Sequence, residues 1–172
     1  MRMTDLSNMK SLRSAVRDAP LLSTTYRRLF RSAEWKQVTA TVENLYAPFI
    51  TKGSLVFDVG ANVGDYSRCF LELGAKVVAI EPAPPSLRHL RFLQRVQNLR
   101  GHYLSIAATA LESKAGTTTF YQSQQDNMSS CRADWLDILG DHGWWPTQFT
   151  GHIEVPVTML DTLIDEYGVP VS

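Results

Sequence analysis

Residues 55–65 pass from a short apolar run straight into a glycine-rich turn, with the sequence Leu-Val-Phe-Asp-Val-Gly-Ala-Asn-Val-Gly-Asp. A nearly continuous apolar run of this length is typical of a parallel strand that is buried on both faces. Gly60 permits a tight turn and lets a ligand approach the backbone, and Gly64 permits close packing where the next helix begins. The stretch therefore predicts a strand, a ligand-binding turn and a helix in direct succession.

The same alternation continues along the chain. Predicted strands cover residues 55–59, 76–81 and 102–108, and predicted helices cover residues 65–73 and 87–97. Gly74 is expected to end the first helix. Ser86 is the expected N-cap of the second helix, after a proline-rich break. Strands and helices that alternate at this spacing predict an α/β fold, a doubly wound, Rossmann-like arrangement around a parallel sheet.

Flanking segments add to this core. Residues 5–18 and 23–50 show the apolar spacing of N-terminal helices. Residues 117–122 and 153–158 are rich in β-branched and aromatic side chains, so they are expected to pair as an antiparallel extension of the sheet. A polar, tryptophan-rich connection joins these two strands, and a short helix is predicted over residues 160–167, ending at Gly168.

Composition and charge exclude several classes of protein. No apolar run is long enough for a transmembrane segment, and the N-terminus lacks the apolar core of a secretory signal. Only two cysteines occur, without metal-ligand spacing, which predicts reduced thiols in a cytoplasmic protein and no metal site.

The basic residues are concentrated at the start of the chain. Residues 1–52 carry nine basic and four acidic side chains. A solvated helical face explains this excess best, and contact with an acidic partner or a membrane surface is the alternative. The basic residues match no nucleic-acid-binding motif, so no nucleic acid partner is expected.

The spacing of the turn selects among nucleotide ligands. Glu81 follows Gly60 by about the twenty residues expected of a carboxylate that binds ribose hydroxyls. The dinucleotide fingerprint needs glycines where Asn62 and Asp65 stand, and the phosphate-binding loop of nucleoside triphosphatases is absent. Asn62 tolerates left-handed dihedral angles, so it can replace a glycine in the turn. A cationic ligand without phosphates fits better, and Asp58 is placed to orient the amino end of S-adenosylmethionine.

Five stretches in this order resemble the N-terminal portion of an FkbM-type methyltransferase, a class I family. They cover residues 56–66, 79–82, 110–116, 127–130 and 155–163. The resemblance implies S-adenosylmethionine as cofactor and O-methylation of a small-molecule or sugar hydroxyl. It also implies that Asp58, Gly60, Asn62, Gly64 and Glu81 line the cofactor site, with Tyr66 and Ser67 as neighbours. The expected organisation is an N-terminal helical region, 1–52, and a partial S-adenosylmethionine-binding domain, 53–172.

The family pattern continues beyond the motifs matched here, with a buried strand that carries an acidic motif. The resemblance therefore implies an incomplete sheet, in which the first strand is an edge. A truncated, non-catalytic nucleoside-binding fragment is one alternative function, and a NAD-dependent oxidoreductase is a more distant one. The sequence identifies neither the acceptor nor the oligomeric state.

No catalytic base can be assigned from the sequence. Four histidines are candidates, and His142 and His152 are favoured because they lie in the variable connection, although a surface or structural role is expected for each. The segment 127–130 is a candidate site loop on resemblance alone. Cys131 has no activating neighbour in the sequence, so it is not expected to be a nucleophile.

Overall fold

The computed structural model describes residues 32–123, 129–135, 138 and 149–170. The chain divides into two compact units, Met1–Pro48 and Phe49–Ser172. In the first unit, helix α1 spans Ser32–Tyr46 and lies within the predicted helix 23–50. The predicted helix 5–18 lies outside the described residues, and the domain boundary after residue 52 remains a prediction.

The second unit is built on a parallel sheet of three strands, ordered β1-β2-β3. The strands are β1 (Leu55–Val59), β2 (Lys76–Ile80) and β3 (Leu104–Ala107). Every residue of β2 after Lys76 is buried, as expected of a strand that is covered on both faces. The parallel sheet predicted from the sequence is confirmed, with β1 at one edge of the described strands.

Helices α2 and α3 connect the three strands. Helix α2 (Asp65–Glu72) ends in a Schellman motif, in which Ala75 N donates to Phe70 O at 3.0 Å and Gly74 adopts a φ of 90°. Gly74 therefore ends the helix as predicted. Helix α2 packs on β1 and β2, and helix α3 packs on β3.

Helix α3 spans Pro84–Leu99, so it begins earlier than predicted. The N-cap is Ala83 and the first two helical positions are prolines, whose fixed φ and missing N–H suit the start of a helix. The expectation that Ser86 is the N-cap is wrong. An N-cap serine would bond the backbone of its own helix with its hydroxyl. Ser86 lies inside the first turn instead, and its hydroxyl contacts a residue outside the helix.

A second sheet follows, with the strand order β4-β6-β5. Its strands are β4 (Ala110–Leu111), β5 (Gly116–Ser123) and β6 (Phe149–Thr158). The antiparallel pairing of the two predicted strands is confirmed in β5 and β6. Strand β6 begins four residues earlier than predicted, and its other edge pairs in parallel with β4, a two-residue strand that the sequence did not indicate.

The last helix, α4 (Leu160–Tyr167), matches the prediction and ends at Gly168. Leu163 of α4 packs in a cluster with Val78, Ile80 and Ala107, on one face of the parallel sheet. A second cluster joins Ala83, at the start of α3, to residues of the small sheet, among them Phe120 and Val155. No helix in the described part of the chain combines the length and apolar character needed to cross a bilayer.

Candidate functional site

The turn after β1 is tied to the end of the neighbouring strand. The backbone N–H groups of Gly60 and Ala61 both donate to the carbonyl of Ile80, at 2.9 and 3.0 Å. Gly60 has a φ of 75° and Asn62 a φ of 48°, both in the left-handed region that the sequence predicted for this turn. The turn is therefore held at the carboxyl end of the sheet, where open α/β sheets bind their ligands.

Glu81, directly after β2, is a buried carboxylate that links two loops. Its Oε2 accepts from the N–H of Asn62 at 2.9 Å, and its Oε1 accepts from the N–H of Ala83 at 2.7 Å. The residue is only 6% exposed. An ionised carboxylate has about four acceptor positions in all, and it donates no hydrogen bond. Both backbone bonds hold the carboxylate in one orientation.

Asp58 is a second buried carboxylate, near the end of β1. Its Oδ2 accepts from the hydroxyl of Ser67, on α2, at 2.5 Å. Burial raises the pKa of Asp58; the hydrogen bonds from Ser67 oppose the rise, and the nearby negative charge of Asp65 adds to it. A cation placed beside Asp58 would offset the cost of burying its charge.

The remaining predicted site residues lie in the same region. Asn62 Oδ1 accepts from the hydroxyl of Ser86 at 3.2 Å, which joins the turn to α3. Gly64 is buried, and a Cβ built on it would lie 2.5 Å from Leu93 Cδ2 and 2.8 Å from Leu90 Cδ2. The close packing predicted at Gly64 is thus present. Tyr66 is half-exposed and its ring lies against Phe70.

A cavity of about 180 Å³ lies beside this turn, between the start of α3 and the β5–β6 pair. Ser86 contributes both to the cavity and, through its hydroxyl, to the contact with Asn62. The described residues that line it, none of them charged, are Ala83, Pro85, Ser86, Phe120, Gln122, Ser123, Ser129 and Thr150. The lining combines hydroxyl and amide groups with one aromatic ring.

A register shift in the small sheet shapes this cavity. Gln122 pairs with Gly151, but Ser123 pairs with Phe149, so Thr150 has no partner residue on β5. Such a bulge redirects the side chain of the extra residue. The hydroxyl of Thr150 donates to the carbonyl of Gln122 at 3.2 Å, and Thr150 lines the cavity. Sequence reasoning missed the roles of Thr150, Gln122 and Phe120 here, because a bulge in a polar strand leaves no distinctive pattern.

The candidate site loop is described from residue 129 onward; Asn127 and Met128 lie outside the described residues. Ser130 pairs with Tyr121 through two backbone hydrogen bonds of 2.8 and 3.1 Å, and the hydroxyl of Ser129 accepts from Ser123 N at 3.0 Å. These contacts bring Ser129 into the cavity lining. Cys131 follows Ser130. Burial raises the pKa of its thiol, and the negative charges of Glu112 and Glu81 raise it further, which disfavours a thiolate.

None of the three described histidines lines the cavity. His89 Nδ1 lies 3.0 Å from the carbonyl of Pro85, His102 is partly buried, and His152 is exposed beside the ring of Tyr121. His142 lies outside the described residues. Among the residues described, no group of histidine, cysteine or acidic side chains is arranged to hold a metal ion.

The magnesium protoporphyrin IX methyltransferase from Synechocystis PCC 6803, solved with bound S-adenosylmethionine, is similar over 87% of this chain and 97% of that chain. Its identity is 14% and its TM-score 0.41, which is too distant to support a conclusion about this chain. No curated protein matches the sequence significantly.

The comparison with protein families gives a clear result. The model described as the methyltransferase FkbM domain matches residues 58–171. The match covers the turn after β1, Glu81, the small sheet and α4, which together make up most of the second unit. The chain therefore belongs to the FkbM methyltransferase family, whose members use S-adenosylmethionine as methyl donor.

Proposed function

We propose that this chain transfers a methyl group to a hydroxyl of a small molecule or sugar. S-adenosylmethionine supplies a methyl group bound to a sulfonium. As the acceptor oxygen bonds to the methyl carbon, the electron pair of the carbon–sulfur bond stays on sulfur, and the hydroxyl proton passes to solvent or a base. Such a displacement depends largely on positioning. The observation that carries the proposal is the pair of buried, hydrogen-bonded carboxylates beside a cavity whose described lining offers hydroxyl and amide groups.

The residues after β1 and β2 fit the cofactor. The carboxylate of Glu81 suits donating ribose hydroxyls, because it is an acceptor that two backbone bonds hold in one orientation. Asp58 suits the amino end of the cofactor, since a cation there would offset the cost of its burial. A Cβ at Gly60 would project into open space, which leaves the backbone of the turn accessible to a ligand. Asn62 and Gly64 hold the turn in place.

The cavity between the start of α3 and the β5–β6 pair is the proposed site for the acceptor. It shares Ser86 with the contact to Asn62, so it adjoins the proposed nucleoside site. Hydroxyl and amide groups can donate to and accept from the hydroxyls of a neutral acceptor, and the ring of Phe120 supplies an apolar surface. The hydroxyl and amide groups of the described lining residues therefore suit a hydroxylated acceptor.

Two measurements test the function. Isothermal titration should show that the folded chain binds S-adenosylmethionine and S-adenosylhomocysteine. Methyl transfer should then be detected with a panel of sugars and other hydroxylated compounds. Absence of binding in a folded preparation would overturn the cofactor site, and binding without turnover on any acceptor would favour a binding module. The cytoplasmic location remains a prediction of the sequence.

Replacing Thr150 by valine tests the acceptor cavity. The change keeps the shape of the side chain but removes the hydroxyl, so we expect KM for the acceptor to rise about two- to tenfold, the effect of one neutral hydrogen bond. The affinity for S-adenosylhomocysteine should be unchanged. The matched control is Thr119→Val, because Thr119 precedes the register shift and lies next to the lining residue Phe120, so its side chain is on the opposite face of β5. A weaker affinity for S-adenosylhomocysteine in Thr150→Val would instead assign the cavity to the nucleoside.

Asp58→Asn should weaken the binding of S-adenosylmethionine without lowering the stability of the ligand-free protein. Burial raises the pKa of Asp58 above its unfolded value, so its contribution to stability is present in acid and lost as the pH rises through the folded pKa. The ligand-free variant should therefore be at least as stable as the parent at neutral pH. The affinity for S-adenosylmethionine should fall about 10- to 100-fold, because a hydrogen bond to a charged group is lost.

Thermal melts at neutral and acidic pH, with isothermal titration, check both effects. The stability difference between Asp58→Asn and the parent should shrink as the pH falls, since the parent carboxylate then becomes protonated. Asp165→Asn is the control: this carboxylate is exposed on α4, so neither quantity should change. Unchanged affinity in Asp58→Asn would remove Asp58 from the cofactor site.

A further inference from the structure

The outer side of α3 carries two adjacent rows of side chains. Arg88, Arg91 and Arg95 follow one another at helical spacing and form a basic row; all three are exposed. Phe92, Val96 and Leu99 form an apolar row directly beside it. At 100° per residue, the two rows occupy neighbouring strips of the helix surface. We call these six residues the α3 outer patch.

The basic row has no ion-pair partner in the part of the chain that the structure describes. No acidic residue occurs in α3. From Arg88 to Arg95 the helix rises about 10 Å. Three guanidinium groups are therefore presented along one side of the helix, free to bind anions in the bidentate manner that suits phosphate.

Two members of the apolar row, Val96 and Leu99, are exposed, and the third, Phe92, is partly buried. Helix α3 already packs through its opposite side, where Leu87, Leu90 and Leu93 are buried. On the outer side, Val96 is 37% exposed and Leu99 is 89% exposed. A helix that buries one apolar side and exposes a second apolar strip beside a row of cations has the composition of an interfacial helix.

We propose that the α3 outer patch binds the surface of an anionic lipid bilayer. The arginines would contact headgroup phosphates, and the exposed apolar side chains, Leu99 above all, would enter the boundary with the acyl chains. A nucleic acid would use the arginines and the ring of Phe92 but would gain nothing from Val96 and Leu99, the more exposed apolar side chains. The patch is separate from the proposed cofactor site, so the inference does not depend on the proposed function.

Co-sedimentation of the full chain with vesicles tests the proposal. Vesicles of equal parts phosphatidylglycerol and phosphatidylcholine should bind the protein, and vesicles of phosphatidylcholine alone should bind it far less. The triple variant Arg88→Gln, Arg91→Gln, Arg95→Gln should lower the partition coefficient about fivefold for each arginine, or about a hundredfold in all. High salt should weaken binding of the parent, because it screens exposed charges.

Two further variants make the outcome specific. The matched control Lys52→Gln, Lys76→Gln, Lys114→Gln removes the same charge from exposed positions elsewhere and should bind anionic vesicles like the parent. Leu99→Ser should lower binding several-fold without changing thermal stability, since the side chain is exposed. Binding of the arginine variant equal to that of the parent would overturn the proposal. An equal loss of binding in both triple variants would also overturn it. Unchanged binding of Leu99→Ser would overturn it as well, because it would indicate a purely electrostatic site for polyanions.

Discussion

Gly64→Ala is expected to lower the free energy of unfolding by about 2–4 kcal/mol, whereas Gly60→Ala should lower it by only about 1 kcal/mol. Both glycines have positive φ, 86° at Gly64 and 75° at Gly60, so both substitutions carry similar backbone strain. They differ in their surroundings. A Cβ at Gly64 would lie within 3 Å of Leu90 and Leu93, and a Cβ at Gly60 would meet no atom within 4 Å.

Ligand binding should show the reverse order. The new methyl group of Gly60→Ala points into open space beside the turn, where the cofactor is proposed to approach, so the affinity for S-adenosylmethionine should fall about tenfold or more. In Gly64→Ala the main effect should be the lower free energy of unfolding. Its affinity for S-adenosylmethionine should fall only to the extent that the added methyl group displaces the turn. Urea unfolding and isothermal titration measure the two quantities. If Gly60→Ala binds S-adenosylmethionine as tightly as the parent does, the ligand does not approach this part of the backbone.

The contrast shows what the sequence can predict about such a turn. The strand–turn–helix pattern was sufficient to place β1, the left-handed turn and α2, because apolar runs and glycines act locally. The different duties of Gly60 and Gly64 also followed from their positions before the helix. The leucines that make Gly64 sensitive lie on α3, more than twenty residues later, and only packing brings them to the turn.

Three features of the structure could not be predicted from the sequence: the first residue of α3, the strand β4 and the cavity. The sequence offered both Ser86 as an N-cap and two prolines as first helical residues, and the prolines set the start of α3. Strand β4 is only two residues long, so it has no periodicity to detect; it exists because β6 offers an edge to pair with. The cavity arises from a bulge at Thr150 and from a loop that pairs with Tyr121, both of which are tertiary events.

Glu81 illustrates a further limit. Its place after β2 predicted a ribose-binding carboxylate, but the sequence did not show that two backbone N–H groups already bind it. Those bonds give Glu81 a structural role beside the proposed ligand role. A loss of binding in a simple substitution would therefore not separate contact with the ribose from collapse of the two loops that Glu81 joins.

Glu81→Gln is expected to weaken S-adenosylhomocysteine binding about 100-fold or more and to cost about 1–3 kcal/mol of stability. The amide keeps one acceptor oxygen, so one of the N–H groups of Asn62 and Ala83 loses its partner, and the charge that would accept from the ribose hydroxyls is gone. Glu154→Gln is the control, because that carboxylate is exposed and bonded only to Thr119 in the described structure; both quantities should remain near the parent values.

A thermodynamic cycle, in which both Glu81 and the ribose hydroxyls of the ligand are changed, separates the two roles of Glu81. The parent should bind the 2′-deoxy and 3′-deoxy analogues of S-adenosylhomocysteine about tenfold or more weakly than S-adenosylhomocysteine itself, since each lacks one donor to the carboxylate. In Glu81→Gln this penalty should shrink for at least one of the two analogues, because the amide keeps only one acceptor oxygen. A purely structural role would weaken all three ligands equally and leave the penalty intact. Only a carboxylate that contacts the ribose makes the two changes non-additive, so the coupling energy measured by titration decides between the two roles.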